Sequence, residues 1–135
     1  MAALTSDRNT KLREGKFLAL PVAASTTIHA GAIVCVNSAG YAVPGSTATT
    51  LKAAGVAGKA VRNTGAAGAE RVEVKKGVYC FGNSTSSDAI ALTDIGADCY
   101  IVDDQTVAKT SATNTRSIAG KVFDVDADGV WVEFR

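Results

Sequence analysis

Asp124, Asp126, Asp128 and Gly129 reproduce the opening D-x-D-x-D-G of a calcium-binding loop. Calcium needs such carboxylates to converge with a bidentate glutamate at the twelfth loop position. Counted from Asp124, that position is Arg135, and the nearest carboxylate, Glu133, is out of step. The flanks VFDV and VWVEF read as strands, where a calcium loop requires helices. An Asp-Gly hairpin turn with solvated carboxylates is therefore expected.

Other residues with chemical potential fare no better. His29 is the only histidine, and a base within hydrogen-bond reach is the least that activating Cys35, Cys80 or Cys99 would demand. His29 instead follows Thr26, Thr27 and Ile28 into Ala30 and Gly31, as a loop or capping residue. The three cysteines are odd in number, far apart and set among apolar residues, which suits reduced, buried thiols, and no paired ligands suggest zinc. Gly55 to Lys59 and Gly65 to Gly68 lack the Gly-Lys-Ser/Thr ending of a phosphate loop and read as β-connections. Asp103 and Asp104 fall in a turn. Lys75 and Lys76 with Tyr79 and Phe81 could stack and track a single-stranded nucleic acid, but Glu70 and Glu73 beside them favour a solvated sheet face. The sequence thus predicts no enzyme, no cofactor and no metal.

The elements that would carry these residues are strands. Met1 to Gly15 has no apolar periodicity and reads as an extended N-terminal arm (1–15) ahead of a single β domain (16–135). Phe17 to Val22 contains Pro21, which removes a ladder donor and favours a sheet edge. Ala32 to Val36 (AIVCV) is apolar throughout, hence central, and Asn37 to Gly40 turns it into Tyr41 to Val43. Gly45 to Thr50, Thr64 to Ala69 and Asn83 to Asp88 are polar loops. Gly55 to Val61 resembles a strand weakened by glycines. In Arg71 to Lys75, Val72 and Val74 share one face; Val78 to Phe81 follows Gly77. Thr93 to Gly96 could form one helical turn, with Thr93 as N-cap. Cys99 to Val102 with Thr106 to Lys109, and Ser117 to Val125 with Val130 to Phe134, read as two further hairpins. The fold class expected is all-β, a compact barrel or a sandwich or tulip-like domain, with at most one or two short helical turns.

Composition bounds partners. The 135 residues suit one core, and with only 6% aromatics that core must be built from Ala, Val, Ile and Leu. A net charge of +1 offers no strong attraction to nucleic acid or to an anionic membrane. No apolar run approaches the roughly 18–20 residues of a membrane span, and charges occupy the place a signal peptide would need, so synthesis in the cytoplasm is expected. Arg8, Lys11 and Arg13 in the arm, with Phe17 behind them, are the candidate contact residues, because they form a charged, apolar-poor segment directly ahead of the first strand.

Several stretches carry a resemblance: LTSDRNTKLREG (Leu4 to Gly15), LPVAASTTIHAGAIVCVNSAGYAVPGS (Leu20 to Ser46), VEVKKGVYCFGNS (Val72 to Ser84) and LTDIGADCYIVDDQTVAKTSATNTRSIAGKVFDVDADGVWVEF (Leu92 to Phe134). Read together they resemble the small head-decorating, or cement, proteins encoded beside the major capsid protein in Mu-like tailed phages and prophages. The resemblance implies a virion protein on the capsid exterior that bridges neighbouring subunits of a tailed-phage major capsid protein. It also implies self-association as a dimer or trimer, while the near-neutral charge points to no nucleic acid or membrane partner. It hands over no contact residues by motif. A tail or baseplate component, or a ligand-binding β-barrel such as a carbohydrate-binding module, are the alternatives.

Overall fold

The computed structural model describes residues 2–135. Among them the fold is all-β, with twelve strands and two single 3-10 turns. In chain order the strands are β1 (Phe17–Pro21), β2 (Thr26–Ile28), β3 (Ile33–Val36), β4 (Ala42–Pro44), β5 (Lys52–Ala57) and β6 (Val61–Asn63). They continue as β7 (Arg71–Lys75), β8 (Gly77–Asn83), β9 (Asp98–Ile101), β10 (Thr106–Ala108), β11 (Ile118–Asp126) and β12 (Gly129–Phe134). The first half makes a five-stranded antiparallel sheet in the order β1-β7-β5-β3-β4, and the second half closes into a barrel, β10-β8-β12-β11-β9. A parallel pairing of β10 with β8 completes the closure. A small ribbon, β2 with β6, stands apart.

The buried apolar residues form two clusters where composition suggested one core. Ile33, Cys35 and Val56 join Phe81, Ile101, Val107, Val122, Val130, Val132 and Phe134 inside the barrel. Val34, Ala54 and Ala57 instead join Val22, Ile28, Val72 and Val74 on the other side. Successive side chains of a strand point to opposite faces, so β3 and β5, covered on both, belong to both clusters. This is the physical reason for the unbroken apolar run AIVCV. The clusters are not independent, because the two strands between them are shared.

Hydrogen bonds staple the halves together: the Ile33 N–H donates to Asp104 O (2.9 Å) and the Lys76 ammonium donates to Ala54 O and Arg135 O (2.8 Å each). Gly55 does more than weaken its strand. It sits at φ +151°, next to an irregularity in the β3–β5 ladder, where a Cβ would run into the Lys75 carbonyl. The helical turn near Thr93 is a 3-10 turn over Leu92–Asp94, and Thr93 is inside it; Asp94 Oδ2 accepts the Ala91 N–H (2.8 Å) and does the capping.

Candidate docking site

Residues 2–17 are exposed without a break. Arg8, Lys11 and Arg13 are therefore exposed, and among the described residues none of the three is in an ion pair. The arm's own bonding is slight: the Thr10 N–H donates to Arg8 O (3.1 Å). The structure does not gather the three cations against Phe17. They share a stretch of chain and no contact.

Phe17 opens β1 with its side chain 51% exposed, and β1 is an edge of its sheet, as Pro21 suggested. The free main-chain groups of that edge follow from register. The Lys76 N–H donates to Lys16 O (2.8 Å) and the Val22 N–H to Glu70 O (2.9 Å), and Phe17 stands opposite Lys75 on the same ladder. Hydrogen-bonded pairs alternate along an antiparallel ladder, so Lys16, Leu18, Leu20 and Val22 face β7. Phe17 and Ala19 turn their N–H and C=O groups outward. The Arg71 guanidinium donates to Ala19 O (3.0 Å) and covers one of them. At Pro21 there is no donor to offer. What remains open is the Phe17 N–H and C=O and the Ala19 N–H, beside an exposed phenyl ring and continuous with the arm. That arrangement can accept an added strand, with main-chain bonds supplying affinity and the ring filling a pocket.

The other sequence motifs resolve into structural roles. Asp126 and Gly129 are opposed across a two-residue turn. Asp126 Oδ1 accepts the Asp128 N–H (2.9 Å), its Oδ2 accepts the Trp131 indole N–H (2.9 Å), and Asp124 Oδ1 accepts the Val125 N–H (2.8 Å). The carboxylates of Asp124 and Asp126 are thus engaged in the hairpin. The basic-aromatic group does not act as one platform: Phe81 packs edge-on against Phe134 in the barrel, the Lys76 ammonium is spent on main-chain carbonyls, and only Lys75 lies over the Tyr79 ring, at 6.0 Å. His29 is exposed in a loop. Burial pushes the Cys35 thiol up to about 12 and the Cys99 thiol up to about 11, so both stay protonated. The Cys80 thiol is also raised, first by desolvation and then by the charges of Asp126 and Asp128.

Sequence reasoning missed two further features. Ile95 and Phe123 are large apolar side chains left exposed side by side. The loop through Ala112, Thr113 and Asn114 holds three successive left-handed residues, next to an Arg116 guanidinium that bonds Asp88 (3.3 Å) and Thr110 O (3.1 Å). Comparison with protein-family models, with curated proteins and with solved structures finds no match for this chain. What the fold itself defines is an all-β protein with a closed five-stranded barrel, an edge strand and an exposed arm.

Proposed function

We propose that this chain decorates and cements the outside of a tailed-phage capsid by bridging neighbouring major capsid protein subunits, with the arm as its docking element. The observation that carries the reading is the arm itself: exposed residues bearing Arg8, Lys11 and Arg13 run straight into an edge strand whose Phe17 and Ala19 N–H groups are open. The sequence resemblance to head-decorating proteins supports it. Fixing an arm of this length costs on the order of 1–2 kcal/mol per residue in backbone entropy. A single arm can repay little beyond that, so useful affinity comes from many copies summed over a symmetric shell, which is the situation of a cement protein. The barrel interior, filled by Phe81, Ile101, Val107, Val130 and Phe134, gives the chain a rigid body from which to present the arm.

The test is deletion of residues 1–15, followed by binding to purified phage heads. The truncated domain should keep its melting temperature and lose head occupancy. Undiminished occupancy would overturn the proposal, and gold-labelled protein found on tails instead of heads would replace it with a tail role.

A further inference from the structure

One side-chain polar atom among the described residues is buried without a hydrogen-bond partner, the Nε of Arg116. An unpaired buried donor costs stability, the more so on a charged group. Both bonds of this guanidinium run from Nη1, which donates to Asp88 Oδ2 (3.3 Å) and to Thr110 O (3.1 Å). The edge made by Nε and Nη2, whose parallel donors match the two oxygens of a carboxylate, has no partner among the described residues. Asp88 cannot turn to serve it, because its other oxygen accepts the Thr110 hydroxyl.

Arg116 lines a cavity of about 750 Å³ where the start of β5 meets Tyr100 of β9 and the start of β11. One wall is fixed by Ser117, 6% exposed, whose hydroxyl donates to Ala48 O (2.6 Å) and accepts the Leu51 N–H (3.1 Å). The charged residues of the lining are Lys52 and Arg116, both cations, and no carboxylate joins them among the described residues. Asp88 offsets Arg116, while Lys52 is in no ion pair there, so the cavity keeps a net positive charge. Asn114 spends its Oδ1 and main-chain N–H on the Ser111 hydroxyl (3.5 Å and 3.1 Å), which leaves its amide donors, and Tyr100 adds a phenol. Leu51 and the exposed Ile118 supply apolar wall. Cations and donors set around apolar surface suit an anion on a hydrocarbon stem, and the volume is that of a small-ligand site.

Nε itself is out of solvent contact, so a ligand that pairs with it must displace part of its cover. The loop ahead of Arg116 holds Ala112, Thr113 and Asn114 at φ 50°, 59° and 62°, a conformation that is costly for residues with a Cβ. Its bonds are mostly its own, with the Thr115 and Arg116 N–H groups donating to Ser111 O (2.9 Å and 3.1 Å). A strained segment of that kind gives way before the strands on either side of it.

We propose that this cavity binds a carboxylate carried on a short aliphatic stem, held by the Nε–Nη2 edge of Arg116 and by Lys52, and that the loop of residues 112–114 shifts to admit it. The carboxylate belongs to a free acid or to a glutamate side chain of a docked protein. The inference does not depend on what the arm binds, and failure to decorate phage heads leaves it standing.

Nuclear magnetic resonance of the full, nitrogen-15-labelled chain tests it, with butyrate, butyramide and a glutamate blocked at both ends as probes. Butyrate should move the Arg116 Nε–H signal and the amides of residues 112–114 saturably, and butyramide should not. Arg116→Lys keeps the cation and loses the paired edge, so it should weaken butyrate binding about tenfold or more. Lys52→Gln, at an exposed position where the fold is not at risk, should weaken it about two- to fivefold. Tighter binding of blocked glutamate than of butyrate assigns the site to a protein side chain, and the reverse order assigns it to a free acid. An equal response to butyramide, a response that never saturates, or a Lys52→Gln variant that binds butyrate as wild type does overturns the inference.

Discussion

Replacing Asn63 by alanine should destabilise this protein more than most single changes to its surface-facing strands. Asn63 ends β6, is 1% exposed, and is one of two buried polar side chains among the described residues. Its amide nitrogen donates to Val22 O (3.1 Å), Ala23 O (3.1 Å) and Ala66 O (2.9 Å), and its Oδ1 accepts the Gly65 N–H (3.0 Å). It therefore pins the loop after β6 to the end of β1. An amide carries two N–H donors, so three acceptors share two hydrogens, and with the Gly65 bond the change removes the equivalent of three hydrogen bonds. At about 1 kcal/mol each the loss is about 3 kcal/mol, with left-over buried carbonyls setting the upper side of that figure. This is a large part of the roughly 5–15 kcal/mol that holds a domain folded, and for a chain of this length it lowers the melting temperature by about 10 °C. Urea unfolding read by circular dichroism and by the single Trp131 measures it, with the slope expected unchanged and only the midpoint moved. Asn63→Asp sharpens the test. It keeps the acceptor for Gly65 but sets a carboxylate against carbonyl oxygens, so it should be worse than alanine at neutral pH and recover as acid protonates it. A loss below about 1 kcal/mol for Asn63→Ala would refute the reasoning, because it would mean that solvent replaces these bonds at no cost.

Two further outcomes are expected. Gly129→Ala should cost about 2–4 kcal/mol from backbone strain and overpacking together, since Gly129 has φ +139° and a Cβ there meets the Phe81 carbonyl across the β8–β12 pair. Gly15→Ala, with nothing near its Cβ, is the control, and equal melting shifts for the two would refute the assignment. Asp88 is held below the usual carboxylate range, first by the Thr110 hydroxyl that donates to it and then by Arg116, against a partial burial that raises it. A depressed folded pKa contributes stability above the unfolded value and loses it as pH falls through the folded one. Asp88→Asn should therefore be less stable than wild type at neutral pH, with the gap closing in acid below the ordinary aspartate range. A gap that persists unchanged there would show that the charge is irrelevant.

Much of the fold was legible because the strands obey simple rules. RVEVK alternates and buries Val72 and Val74; AIVCV is apolar on both faces because both are covered; Pro21 marks an edge; and NSAG and DADG turn their chains where short polar segments should. What escaped is what those rules do not encode. The β2–β6 ribbon has three residues in each strand, too few for a period, and the asparagine that anchors it carries no local signal. The left-handed run at Ala112, Thr113 and Asn114 uses two residue types that rarely adopt it. Its flanks, Thr110 and Arg116, are tied to Asp88 more than twenty residues earlier, a contact beyond any local preference. Thr93 lost the cap to Asp94 because a carboxylate reaching back to the Ala91 N–H fixes a single turn without a hydroxyl ahead of it.

The candidate site divides along the same line. The arm could be read from composition, since a segment without apolar periodicity has no face to bury, and the edge character of β1 could be read from its proline. Phe123 could not. In a strand of strict alternation, Val122 and Val125 face opposite sides, so either Val122 or the pair Phe123 and Val125 must leave the core. The skipped residue in the β11–β12 ladder removes that choice: Val122 is 2% exposed, Val125 packs against the same barrel cluster, and the odd residue out is the phenylalanine. A local change of register thus satisfies the barrel with two valines and releases the larger aromatic side chain to the surface, in the groove it shares with Ile95. The irregularity that hides this residue from a reading of the sequence is the same one that leaves its ring exposed.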